Sequence, residues 1–356
     1  MSEQSVHDFL HELAVADEIG CPVPQREQYA TELSGILRLG RRRALVVRLA
    51  DLPRPAWIAL AAWPYPLGMA LHPTGAADAH LYGGGQGLVC LMMLGLARLG
   101  WTVAEKHAPE VADILAASPD RDSFAGWLLR NQRLWPQSAA AVLGALVSLL
   151  AAYVSGGDSS SVPGPVLYPA ALWTGLLGGN VLYWLFVAAN TPIHIRYSRD
   201  LRLSLIDPAC TPGIVALCKC YVLVSAGAAL GLVVVELNAL PLAPDDMDDT
   251  TPLTFLAAYV IPATAGFLSL HLGAQPFITL SRTVRHYQKQ VAAPLIARIA
   301  DPPAALVLHP GLQTTHDTYK LLRTQRTLPV KTWAVLQYVT GILATLIAYF
   351  LQQILR

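Results

Sequence analysis

Residues 134–154 read LWPQSAAAVLGALVSLLAAYV, an apolar run without one Asp, Glu, Lys or Arg. A hydrocarbon core about 30 Å thick is crossed by roughly 20 helical residues at about 1.5 Å each. The stretch therefore reads as a transmembrane helix. Four stretches downstream match it: Tyr168–Ala189, Gly213–Leu237, Leu253–Leu272 and Trp333–Leu351. Composition agrees, since the 356 residues are 54% hydrophobic and 14% charged, whereas soluble domains carry about 25% charged residues. The fold class expected is a multi-pass α-helical membrane protein with about five transmembrane helices and an N-terminal cytosolic α+β domain. The divisions are a head over 1–133, four membrane helices over 134–272, a basic cytosolic segment over 273–332, and a fifth helix with a short tail over 333–356.

The loops give an orientation. Lys and Arg near membrane ends stay in the cytosol. Arg121, Arg130 and Arg133 precede the first span, and residues 155–167 hold no basic residue. Arg196, Arg199 and Arg202 fill the next loop, and the loop after it carries Asp245, Asp246, Asp248 and Asp249 with no base. Arg282, Arg285, Lys289, Arg298, Lys320, Arg323, Arg326 and Lys331 follow the fourth span. The alternation puts the N-terminus in the cytosol and the C-terminus in the periplasm of a bacterial inner membrane, a source that the Ala-, Leu-, Arg- and Pro-rich usage suits. Residues 1–20 have neither a basic start nor an apolar run and do not read as a signal peptide. Five scattered cysteines make no disulfide framework. A net charge of +1 gives no field that would recruit nucleic acid.

Within the membrane the signals concern packing. Gly175-x-x-x-Gly179 in the second span and Gly227-x-x-x-Gly231 in the third allow close backbone approach. They predict that these two spans pack on each other or on a second copy. Asn180, Lys219 and Glu236 are the intramembrane polar residues. Lys219 either snorkels toward headgroups or faces a polar cavity. Asn180 either bonds across a helix pair or lines a pathway. Pro262 removes a backbone bond and predicts a kink in the fourth span.

In the head, Gln25–Leu39 has helical spacing. Leu45–Leu49 and Trp101–Glu105 read as strands, Leu67–His72 with Ala79–Tyr82 as a hairpin, and Leu88–Leu99 as a core helix too short to span. Trp57–Trp63 reads as strand or buried helix. Gly83-Gly84-Gly85-Gln86-Gly87 before Leu88 resembles a turn feeding a helix N-terminus, a place for an anion. It lacks the Lys and hydroxyl of a phosphate loop and serves equally as a plain turn. His72, Asp78, His80, Glu105 and His107 form the one set from which a metal or acid–base site would assemble if hairpin and strand were neighbours, and otherwise read as exposed polar residues at loop ends. No metal spacing and no cofactor motif is present. The function expected is a non-enzymatic membrane effector or sensor. A cytosolic cue, from a protein or a small anionic ligand, would act on a homo-oligomeric helix bundle in the lipid bilayer. A membrane-anchored enzyme and a channel or transporter stand as alternatives.

Overall fold

A computed structural model describes residues 23–63, 77–115, 118–155, 164–196, 198, 201–204, 207–239, 252–300, 317, 320, 327 and 332–354. The helices are α1 Val23–Arg43, α2 Leu45–Ala50, α3 Arg54–Ala62, α4 Ala77–Ile114, α5 Ser118–Asn131, α6 Leu134–Ser155, α7 Gly164–Arg196, α8 Pro212–Ala239, α9 Pro252–Phe255, α10 Ile261–Ala300 and α11 Thr332–Ile354. A π-helical turn, Leu256–Val260, joins α9 to α10. The only β pairing among the described residues is the isolated antiparallel bridge Leu115–Leu201.

This overturns the α+β head. Leu45–Leu49 lies in α2, and both Ala79–Tyr82 and Trp101–Glu105 lie in α4, while Trp57–Ala62 takes the helical one of its two readings, in α3. Short apolar runs do not distinguish a strand from a buried helix, and burial against other helices decides here. Residues 67–72 lie outside the described residues.

Among the described residues four segments are long and apolar enough to cross a membrane: Gly85–Ile114, Leu134–Val154, Leu167–Arg196 and Pro212–Val233. The last three coincide with expected spans. The first is new and lies inside the supposed head. The stretch Leu88–Leu99, read as a short core helix, is the middle of the 38-residue α4. The expected fourth span is helical through α9, the π turn and α10. It carries Pro262 and His271, is divided by the π turn, and is not among these four segments. Helix α11 is 23 residues long, and among its described residues the apolar stretch is Gly341–Phe350.

Contacts fix how the helices run. On α6 and α7, a methyl group added at Gly144 would stand 2.8 Å from the Gly179 Cα, and one at Gly175 would stand 2.7 Å from the Ala145 Cα. The Gly175/Gly179 pair thus faces α6, not the third span as expected, and its counterpart is Gly144. Helix α4 runs parallel to α7: Met93 lies against Gly178, and the rings of Trp101 and Trp184 meet edge to face at 4.7 Å. Helix α8 runs antiparallel to α4. Its Gly213 abuts Glu110 and Ile114, and its Gly227 faces Leu96 of α4 and Leu185 of α7. Ser225 Oγ donates to the Gly273 carbonyl at 3.0 Å and Ser269 Oγ to the Ala228 carbonyl at 2.9 Å, which ties α8 to α10. Such interhelical bonds contribute about 0.6–2 kcal/mol each in lipid. Helix α11 closes on α10, where Leu346 and Tyr338 cover Gly266 and Gly273, and Tyr338 Oη donates to the Ser269 carbonyl at 2.9 Å.

The outward faces are apolar. Trp135, Val142, Leu143, Leu146 and Tyr153 of α6 are all more than half exposed. At one end of the bundle stand Arg41–Arg43, Arg130, Arg133, Arg196, Arg282 and Arg285, hereafter the basic end. There α4, α7, α8 and α10 run on past the Trp101–Trp184 pair. Around these extensions α1 and α5 fold, and one core joins Tyr29, Leu33, Ile114, Phe124, Ile195, Ile214, Tyr221, Leu272, Leu280 and Val284. Residues on both sides of position 133 contribute to this core.

Candidate functional site

The polar side chains that the fold gathers lie where this basic end meets the apolar layer. Arg41, in the last turn of α1, donates from Nε to Asp51 at 2.7 Å and from Nη1 to Glu105 at 2.9 Å. Asp51 follows α2, and Glu105 stands one turn beyond Trp101 on α4. The Arg41 guanidinium holds the Asp51 carboxyl below the usual aspartate range, its hydrogen bond outweighing the opposing effect of burial. The second oxygen of Glu105, Oε1, is buried with no hydrogen-bond partner.

A chain of buried amides runs beside this ion pair. Gln132 Nε2 donates to the Ile36 carbonyl at 2.9 Å. Gln137 Nε2 donates to the Gln132 and Arg133 carbonyls, each at 3.2 Å. Asn180 Nδ2 reaches the Gln137 carbonyl at 3.5 Å, and Asn180 Oδ1 accepts the Val46 backbone N–H at 3.4 Å. Val46 is the second residue of α2, whose flanking Ala44 offers no side-chain cap. Asn180 therefore supplies from α7 the acceptor that an N-cap side chain would supply locally. Gln132, Gln137 and Asn180 are each 2% exposed or less. Gly40 makes the approach feasible, since a methyl there would stand 2.6 Å from Gln132 Nε2 and 2.9 Å from Trp101. The joint binds α1, α2, α4, α6 and α7 together.

The expected acid–base set does not assemble. Asp78 and His80 lie in the first turn of α4, whereas Glu105 and His107 lie near its other end. At about 1.5 Å of rise per residue the two pairs stand roughly 40 Å apart. Glu105 is held by Arg41, and His107 Nδ1 lies 3.4 Å from Glu110. His72 is outside the described residues. The glycine-run reading loses its premise as well. Helix α4 begins at Ala77, so Gly83, Gly84, Gly85, Gln86 and Gly87 sit within it and not at an N-terminus with free N–H groups. Among the described residues no group of three His, Cys, Asp or Glu side chains is placed to hold a metal ion.

The remaining flagged positions are dispersed. Asn180 bonds across helices, as above. Lys219 is exposed on α8, less than two turns from Gly213, which touches the basic end of α4. It therefore stands on the basic side of the Trp101–Trp184 level. Gly231 has open space around it. Glu236 is in α8, and its side chain is outside what is described. Pro262 is buried two residues after the π turn, which widens the helix where the proline ring would press on the preceding turn. Sequence reading missed Arg41, Asp51, Gln132 and Gln137. The arginine run and the lone glutamines carried no spacing signal, because their partners lie far off in the chain.

A second feature is an open groove of about 260 Å³ at the basic end, lined by Trp127, Asn131, Phe186, Val187, Asn190, Ile193 and His194. The His194 ring packs on Trp127 at 4.2 Å. No family model, curated protein or solved structure matches the chain.

Proposed function

We propose that this chain is a non-enzymatic membrane effector or sensor, in which a cytosolic layer at the basic end is coupled to the bilayer helices. One observation carries the reading. Helices α4, α7, α8 and α10 extend from the apolar layer into the basic layer and share one core with α1 and α5. A ligand or protein that displaces α1 then acts directly on helices that lipid surrounds. The polar joint at Arg41, Gln132 and Asn180 is the place where such a displacement is resisted or released. The enzyme reading loses support because its candidate side chains lie at opposite ends of α4.

The positive-inside rule supports a cytosolic basic end and an inner-membrane location. Open Gly231 leaves room for a second copy, in line with a homo-oligomer. The test is ion or dye flux from liposomes that hold the purified protein, wild type against Asn180→Leu, which disconnects α2 from α7. A flux that changes with the variant supports the coupling. No flux in either, with or without soluble extract or small anions, removes the permeability branch and leaves signalling.

A further inference from the structure

We infer that the chain crosses the bilayer between Arg43 and Ala77, by way of the broken helix pair α2–α3, so that lipid acyl chains cover part of the region read as a soluble head. The end points require it. Arg41 is bonded to Glu105, and the Trp101 indole N–H donates to the Leu37 carbonyl at 3.1 Å. These contacts fix α1 at the basic end of α4. Helix α4 begins at Ala77, far up the same helix from Glu105. At about 1.5 Å of rise per residue the two stand roughly 40 Å apart along the axis. With α4 spanning, the chain has to regain the far side before Ala77.

Helix α3 carries it part of the way. Near its start the Arg98 guanidinium lies over the Trp57 ring at 5.5 Å. Near its end the Leu60 carbonyl accepts the Trp173 indole N–H at 2.7 Å, and the Trp63 ring meets Trp173 edge to face at 5.9 Å. Trp173 precedes Trp184 by about 11 residues, roughly 16 Å. The end of α3 therefore stands near the middle of a hydrocarbon core about 30 Å thick. At that depth there is no water to satisfy backbone carbonyls, and Trp173 supplies a donor. The sequence suits the place, since Ala56–Trp63 carries no charge after Pro53-Arg54-Pro55. Ile58 is 63% exposed on α3, and Leu88 and Met92 are exposed on α4. They present the same kind of surface as Leu143 and Leu146 of α6. The charged break at Asp51 stays at the basic end, held by Arg41.

Single-cysteine variants test this in a chain whose five native cysteines are replaced by alanine, reconstituted in vesicles of one orientation. Arg42→Cys and Asp78→Cys are expected to react with a membrane-impermeant maleimide from opposite faces. A nitroxide on Ile58→Cys is expected to collide more with oxygen than with a water-soluble nickel chelate. Trp135→Cys and Tyr153→Cys, at the two ends of α6, report independently on the bilayer. Opposite faces for Trp135 and Tyr153 together with one face for Arg42 and Asp78 overturn the crossing and leave the membrane reading standing. Preferential collision of Ile58 with nickel overturns it too.

Discussion

At the scale of single residues, the consequential side chains bond to backbone far away in sequence. Asn180 is buried within an apolar helix, and its Oδ1 is the acceptor for the Val46 N–H. Replacing it by Leu removes that acceptor and leaves the amide buried, a cost of about 1–3 kcal/mol. Asn180→Leu is therefore expected to lower the thermal midpoint in detergent. It should also speed amide exchange at Val46 and Val47 before any global loss, which mass spectrometry of exchanged peptides reads directly. Asp51 predicts a pH effect. Its folded pKa is depressed, so its contribution is present above the unfolded aspartate pKa and disappears as pH falls through the folded value. Because about a third of the side chain is exposed, the contribution is under about 1 kcal/mol. A melting series taken downward from neutral pH should show wild type and Asp51→Asn converging below the ordinary aspartate range. A constant gap at every pH would disconnect the stability from this ion pair.

At the scale of elements, glycine pairs set the helix separations. Gly144 faces Gly175 and Gly179, whereas Gly231 faces nothing within 4 Å. Gly144→Val forces backbones apart and is expected to cost about 1–3 kcal/mol as overpacking, while Gly231→Ala changes little or stabilises a little, as alanine does for glycine in a helix. Detergent melts of the two variants check both. The α6–α7 motif was half legible. Gly175 and Gly179 carried the signal at spacing four, but their counterpart Gly144 is a lone glycine among alanines and leucines. The π turn before Pro262 was legible as a break and not as its form. Helix α4 was legible only in its middle, Leu88–Leu99, and not as a crossing. Arg98, the glycine run and the acidic stretch after Trp101 cut its apolar pattern into pieces, each short enough to pass for a strand or a core helix. In the fold it is one continuous helix packed on α7 and α8.

For the whole molecule, the question is whether membrane and soluble parts are separable. Loop charges and apolar lengths suggested a head that ends near residue 133. Such signals record where lipid and water lie along the chain; they carry no information on which side chains meet. In the folded chain Tyr29, Leu33, Ala108 and Ile114 share a core with Ile214, Leu217, Tyr221, Phe277 and Leu280. Residues 1–133 expressed alone would expose that surface together with the apolar flanks of α4. At about 25 cal/mol per Å² of apolar area, even a few hundred Å² left uncovered takes several kcal/mol from a domain whose total stability is typically about 5–15 kcal/mol. The fragment is therefore expected to aggregate or to stay in detergent micelles without a cooperative melt, followed by circular dichroism. Co-expression with residues 134–356 should restore a protease-resistant complex, because α4 packs against α7 and α8, and the core that α1 and α4 share is completed by α8 and α10. A soluble, monomeric 1–133 fragment with a sharp transition would show that the core divides at that point, and the coupling between the basic layer and the membrane helices would then lose its structural basis.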